Sequence, residues 1–321
     1  MESDTPHWPL DNRVVIDARA NIHAFWRGDD GSYARYWLAD AATWGPPIAF
    51  GKVAWTLIAG QAGSNLMYRD SPFQVRRFDE RALAWSDPVA LETSSELDLS
   101  IRTVTTSAFD DSAVALVARP TDAGTAVSVA RFDPALQTWD ALSEVARTPS
   151  ESSPDSFGGA FEVALHPEND FLEIGVDLGL LTAHTEVARF DPQTRSWSHA
   201  YTVEGQAGLD LVLDADGNAY GSTRNGGLLV FDRKRQTWEE TQTGSIDLTL
   251  RAAKHGAFAL LRGATTPRLL RYDSTAAAWR MLGANPIELG HISDLVVVRE
   301  RALLLGTGIS EYAGVWAGFV D

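Results

Sequence analysis

Several carboxylates in this sequence head short apolar runs, a position from which they could act together. Asp98 opens Asp98-Leu-Ser-Ile-Arg102, Asp210 opens Asp210-Leu-Val-Leu-Asp214, and Asp247 opens Asp247-Leu-Thr-Leu-Arg251. Glu162 stands before Val-Ala-Leu-His166, and Asp294 before Leu-Val-Val-Val298. In two further segments the same place is basic. It is Arg13 where Val14-Val-Ile-Asp17-Ala-Arg-Ala-Asn21 aligns on Leu211-Val-Leu-Asp214-Ala-Asp-Gly-Asn218, and Lys52 in the next. A second apolar run ends in Arg27, Arg69, Arg119, Arg224 and Arg262. Asp98 with Arg119, Asp210 with Arg224 and Asp247 with Arg262 could close as exposed ion pairs worth about 0–1 kcal/mol each.

Glu162 and Asp294 have no such arginine, and His184 falls in a loop at the same end of its unit. Carboxylates beside an imidazole handle protons near neutral pH. Arg13, Arg27, Lys52 and Arg69 form a basic side that would hold an anion. The expected catalytic residues are therefore Glu162, His184 and Asp294. The expected ligand-binding residues are Arg13, Arg27, Lys52, Arg69, Asp98, Asp210 and Asp247. The chemistry would be that of an isomerase, lyase or cyclase with no organic cofactor. The acids would admit a divalent metal, but no residue is assigned as its ligand. Asp214-Ala-Asp216-Gly217-Asn218 resembles the start of a calcium loop but lacks the downstream bidentate Glu, so it reads as a hairpin turn.

These positions can be aligned because the chain repeats. An aromatic residue, Asp, five residues and Trp recur as Phe78-Asp79 with Trp85, Phe132-Asp133 with Trp139, and Phe190-Asp191 with Trp197. The motif returns as Phe231-Asp232 with Trp238 and Tyr272-Asp273 with Trp279. In a sixth copy, Trp37-Leu38 with Trp44, Leu replaces the Asp. Each copy reads as a hairpin: an alternating run, a polar turn whose Asp accepts its own backbone N–H groups, and a Trp opening the next strand. Two more strand-like runs precede each hairpin, and helical periodicity is absent. Four strands per unit of about 40 residues predict a β-propeller blade.

The last segment offers three strands, and His7-Trp8-Pro9-Leu10 offers a lone outer strand at the other end. Closure of one on the other predicts a single all-β domain over 1–321, a seven-bladed β-propeller of four-stranded blades. Residues 1–10 complete the last blade. The blades run over 13–47, 50–90, 97–143, 158–203, 207–242, 246–284 and 291–321. Trp26, Trp37, Trp55 and Trp316 lie outside the repeat and read as core or as the lining of a funnel. Hairpins such as Arg189-Phe-Asp-Pro-Gln-Thr-Arg-Ser-Trp197 resemble the second half of kelch-type repeats, although Gly226-Gly227 is the one Gly-Gly doublet near the expected place. That resemblance implies a propeller that presents loops to protein partners, and a non-catalytic interaction or ligand-binding propeller is the alternative function.

Composition removes other classes. The 321 residues carry 43 acidic and 27 basic side chains, a net charge of -16. A chain this acidic, with a pI near 4.8, lacks the basic footprint that nucleic acid or an anionic membrane demands. With no cysteine there is no disulfide, thiol nucleophile or thiolate metal site. The polar, acidic start has neither the basic nor the apolar part of a secretory signal. The expectation is a cytoplasmic monomer acting on a small molecule.

Overall fold

The hairpins marked by the motif fold alike. In five of them the turn Asp accepts backbone N–H groups with one oxygen: Asp79 from Arg81 and Ala82, Asp133 from Ala135 and Leu136, Asp191 from Gln193, Asp232 from Lys234 and Arg235, and Asp273 from Thr275 and Ala276. The aromatic residue lies opposite the Trp in register and packs on it, with ring centroids 5.0–5.4 Å apart in all five. The residue two before each Trp has a left-handed backbone, φ 49–54°, at Ala42, Leu83, Gln137, Arg195, Gln236 and Ala277. None of the six is glycine, so the turn carries this cost in every hairpin.

The structure of the chain is a computed structural model. It describes residues 13–16, 20–27, 31–52, 55–58, 66–70, 73–79, 81–91, 100–106, 112–122, 124–148, 160–165, 171–177, 183–205, 209–223, 226–232, 234–242, 247–262, 267–282, 291–298, 300–307 and 315–320. The chain divides into two compact units, 1–91 and 92–321. Trp8, the outer strand expected over 1–10, and Asp98 lie outside the described residues.

All described elements are strands, and every ladder is antiparallel. The described residues of the first unit form two sheets. One contains β1 (Arg13–Ile16), β2 (Ile22–Arg27), β3 (Ser32–Leu38), β4 (Thr43–Trp44) and β5 (Ile48–Ala49); the other contains β6 (Thr56–Ile58), β7 (Leu66–Asp70), β8 (Phe73–Asp79), β9 (Ala84–Trp85) and β10 (Val89–Ala90). The described residues of the second unit form five sheets. The first has β11 (Ser100–Thr106), β12 (Ala113–Thr121), β13 (Gly124–Asp133), β14 (Thr138–Trp139) and β15 (Ser143–Thr148). Next come β16 (Ala160–Leu165), β17 (Phe171–Asp177), β18 (Ala183–Asp191) and β19 (Ser196–Gly205), then β20 (Leu209–Leu213), β21 (Ala219–Ser222), β22 (Leu228–Asp232) and β23 (Thr237–Gln242). Then follow β24 (Leu248–Ala253), β25 (Gly256–Leu261), β26 (Arg268–Asp273) and β27 (Ala278–Met281), and last β28 (His291–Val298), β29 (Arg301–Thr307) and β30 (Val315–Val320). In each sheet the strands lie side by side in chain order, except that β5, β10 and β15 pair with β3, β8 and β13 beyond the short Trp strand, and the Trp hairpin is outermost where one is described.

The sheets bury their faces on one another. Val114, Leu116, Val127 and Val129 of the β11–β15 sheet meet Val163, Ile174, Ala188, Phe190 and Trp197 of the β16–β19 sheet in one core. Leu213 and Phe231 join Ala164 and Val203 in the next interval, Tyr220 and Leu228 join Leu250 and Trp279 in the next, and Phe258 and Leu260 join Leu295 and Leu304 in the last. Indole N–H groups add polar ties across these intervals, Trp238 to the Thr185 hydroxyl at 2.9 Å and Trp279 to the Thr241 hydroxyl at 3.1 Å. The first strands β11, β16, β20, β24 and β28 pack in succession along the inner side of the second unit. In the first unit Phe25, Ala34 and Trp55 form the core, which places Trp55 in packing and not in a funnel.

His23 stands in this same unit, 2% exposed, edge-on to Phe78 at 4.8 Å between ring centroids. Burial pulls its imidazole down from 6.5 to about 4. The folded state therefore holds the neutral form. Its stabilising effect is complete above the unfolded value of 6.5 and is lost as pH falls through about 4. Acid titration followed by Trp fluorescence should show a loss approaching about 3 kcal/mol across that window, and His23→Gln should flatten it. At the hairpins, Gln236→Gly should raise stability by up to about 1 kcal/mol, because Gly meets the left-handed backbone without a Cβ clash, while Gln236→Val should lower it.

Candidate functional site

The head of each first strand and the tail of each second strand define one end of every sheet. In the β24–β27 sheet the expected pair is present. Arg262 donates from Nε to Asp247 Oδ1 at 2.8 Å, and its backbone N–H donates to the Asp247 carbonyl. In the neighbouring sheet Asp210 has φ 49° where the β20–β21 register slips between Leu209 and Val212. Ser222 donates its hydroxyl to Asp210 Oδ2 at 3.2 Å. Asp210 is exposed as a residue. Desolvation raises its pKa against the opposing pull of Ser222, Arg251 and Arg262. A carboxyl whose pKa is raised, close to the Arg251 and Arg262 guanidiniums, is a candidate for proton handling. The sequence offered Arg224 as its partner; Arg224 lies outside the described residues, and Ser222 carried no signal beyond its place at the end of a strand.

The other expected residues are distributed as follows. Arg13 begins β1, opposite Phe25, and Arg27 ends β2, so both stand at the same end of the first sheet. Arg69 stands next to last in β7, one residue past the pair Thr56–Tyr68 that begins β6, at the corresponding end of the second sheet. Lys52 does not head a strand. It is exposed in the turn between β5 and β6, because the first strand of that sheet begins later, at Thr56. Glu162 is the third residue of β16. Asp294 stands inside β28, opposite Leu305, because that strand begins three residues earlier, at His291. Glu162 lies in the row Glu162–Gly175–Thr185, two strands inward from β18, and Asp294 belongs to a different sheet from both Glu162 and His184.

His184 was expected in a loop and instead lies in β18, opposite Val176 and Glu204. The strand starts at Ala183, early enough to capture it. Its Nε2 lies 3.1 Å from Oε1 of Glu186, two residues along the same face. Oε2 of Glu186 receives the Thr202 hydroxyl at 2.8 Å and lies 3.0 Å from His199 Nε2. Glu186 is buried, 8% exposed, so burial alone would push its carboxyl up; hydrogen bonds from His184 and Thr202 and the nearby imidazoles hold it below the usual 4.5 instead. A carboxylate between two imidazoles can hold and pass a proton. Half of the His199 ring is exposed, which gives that relay access to water. Glu186 and His199 are thirteen residues apart on neighbouring strands, so only the register of the hairpin brings them together.

Asp214, in the calcium-like run, is fully buried. Its Oδ1 accepts from the backbone of Asp216 and Asn218, and its Oδ2 from the Asn218 side chain, the Tyr220 hydroxyl and the Gly256 backbone. That carboxylate ties the β20–β21 turn to the next sheet. Among the described residues no group of three His, Asp or Glu is arranged to hold a metal ion. Among them also no helix is long and apolar enough to cross a membrane.

No family model matches the chain, and no curated protein matches it. Solved structures do. The β-propeller domain of the Trilobed protease from Pyrococcus furiosus, described as having an open velcro topology, is similar at TM-score 0.61 and 12% identity, covering 97% of this chain and 95% of that one. The Cps50 (Swd1) β-propeller domain of Myceliophteria thermophila is similar at TM-score 0.61 and 11% identity, covering 97% of each chain. An acylaminoacyl peptidase from Pyrococcus horikoshii is similar at TM-score 0.63 and 11% identity over 98% of this chain and 52% of that one, so this chain spans about half of that enzyme. At such identities the likeness shows the fold, an all-β propeller.

Replacing Glu186 by Ala should lower stability by about 1–3 kcal/mol, because Thr202 and the largely buried His184 lose their acceptor. Glu186→Gln should cost less. Urea unfolding of the two variants checks the order.

Proposed function

We propose that the chain is a seven-bladed propeller with kelch-like hairpins that binds an anionic small molecule at the end where its first strands begin. The observation that supports this is the register of the first unit. It gathers Arg13, Arg27 and Arg69 at corresponding ends of two successive sheets, in a chain whose net charge is -16. Basic residues placed at one end of a sheet in an acidic chain favour an anion there. Lys52, Asp98, Asp210 and Asp247 are further candidate ligand-binding residues in this reading, and the protein acts as a monomer without a bound cofactor. Ring closure by residues 1–10 belongs to the same proposal.

A catalytic reading, as an acid–base isomerase, lyase or cyclase, is favoured by the raised pKa of Asp210 beside Ser222 and Arg262. In that reading Glu162, His184 and Asp294 are further proton-handling groups, and His184 works through Glu186.

Calorimetry with citrate and a panel of sugar carboxylates tests the binding proposal. The double variant Arg13→Ala/Arg69→Ala should bind the best anion at least about ten-fold more weakly. Equal affinity would sink the proposal. Product formation from a bound anion, abolished by Asp210→Asn with binding retained, would select the catalytic reading.

A further inference from the structure

The outer hairpins share one cross-strand pair beside the Trp: the residue before the aromatic faces the residue after the Trp. The pair is Tyr36 with Gly45, Arg77 with Ser86, Arg131 with Asp140, Arg189 with Ser198, and Val230 with Glu239. Wherever the first member is Arg, the second is a hydroxyl or a carboxylate. The β26–β27 hairpin breaks this pattern, setting Arg271 against Arg280. Like charges directly opposite on neighbouring strands are destabilising, with Cβ atoms about 4.5–5.5 Å apart. Nothing in the hairpin's own geometry calls for Arg there, since the other sheets build the same turn with Ser, Asp, Glu or Gly.

The two guanidiniums border a cleft of about 370 Å³, lined also by His255, Asp273, Ser274 and Leu282. Each is steadied by one acid: Glu300 Oε2 stands 3.7 Å from Arg271, and Asp273 Oδ2 2.9 Å from Arg280. Those acids also serve the backbone. Asp273 accepts from Thr275 and Ala276, and Glu300 from the Lys254 N–H. Arg271 lies over the Phe258 ring, 5.4 Å from its centroid, a cation–π contact that helps to position it. His255 is anchored through Nδ1 to Asp216 at 2.8 Å. A guanidinium presents five N–H donors in a planar fork, more than one carboxylate contact takes up.

We propose that this cleft binds a small phosphate monoester, its phosphate held by Arg271 and Arg280 with the Ser274 hydroxyl, and its organic part against Leu282. Two guanidiniums match the charge and the three terminal oxygens of a phosphate better than a single carboxylate. The volume falls within the range of small-ligand sites. The site lies at the turn end of its sheet, opposite the end that holds Asp247 and Arg262, and stands whether or not the function proposed above holds.

The test uses the full chain at 0.15 M NaCl, with inorganic phosphate and phenyl phosphate as probes. Phenyl phosphate at ten times its Kd should raise the Tm by roughly 2–3 °C. Arg280→Ser, which installs the residue two other hairpins use, should keep the circular dichroism of the parent and bind at least about ten-fold more weakly. Arg13→Ala/Arg69→Ala should bind phenyl phosphate as the parent does, which separates this site from the other. Absence of binding by the parent, or unchanged affinity in Arg280→Ser, overturns the proposal. Phenyl phosphate binding no tighter than inorganic phosphate overturns the assignment of an ester.

Discussion

A sheet four strands wide has two faces and no interior, so it can leave water only by lending each face to a neighbour. Every interval in the second unit is filled on this principle. Side chains from adjacent sheets, such as Leu116 with Ile174, Ala164 with Leu211, Leu228 with Leu250 and Leu260 with Leu304, form a row of separate cores and not one central core. The Trp hairpins make the arrangement possible. Trp197, Trp238 and Trp279 each bring a large ring into an interval between two sheets, and the aromatic partner of each packs on it 5.0–5.4 Å away. The first strands are then pressed together along the inner side, and the residues at their heads share one end of the unit by geometry alone.

That division of labour explains which features the sequence revealed. The aromatic-Asp-x5-Trp motif is local: turn, acceptor and ring are all within eight residues, so its chemistry is written in one stretch of chain. The Asp–backbone bonds and the ring contact follow directly from it. The left-handed residue two before the Trp was hidden, because it is Ala, Leu, Gln or Arg and never Gly, the usual marker of that conformation. Strand heads were legible only where an apolar run starts sharply. Asp247 qualifies, whereas the β28 strand begins at His291, before any apolar run announces it.

The candidate site was less legible because its parts come from different strands. The Asp247–Arg262 pair is legible because the second apolar run is the antiparallel return of the first. The Glu186 cluster was not found, since His184 looked like loop and the partner His199 sits beyond a hairpin whose register slips between Val187 and Ala188. Asp214 shows the opposite error of emphasis. A carboxylate in a calcium-like run is consumed entirely by protein donors, and its role is to hold one sheet's turn against the next. Among the described residues, Asp79, Asp133, Asp191, Asp232 and Asp273 are spent on turns, Asp214 on a joint between sheets, and Asp247 on an ion pair at a strand head.

The outermost strands carry a further consequence. Each is the edge of its sheet, and an edge of free N–H and C=O groups invites another chain to add itself. In the first two sheets that edge is cut after two residues, at Gly45-Pro46-Pro47 and at Ser86-Asp87-Pro88, where proline removes donors. In the next sheet it is cut at Asp140-Ala141-Leu142, and in the two after that a bulge displaces the register instead. The same hairpins that organise the intervals thereby leave no long straight edge among them. A protein built from repeated, strongly β-forming units of similar sequence is at risk of pairing with copies of itself, and here the irregularity of each edge acts against polymerisation.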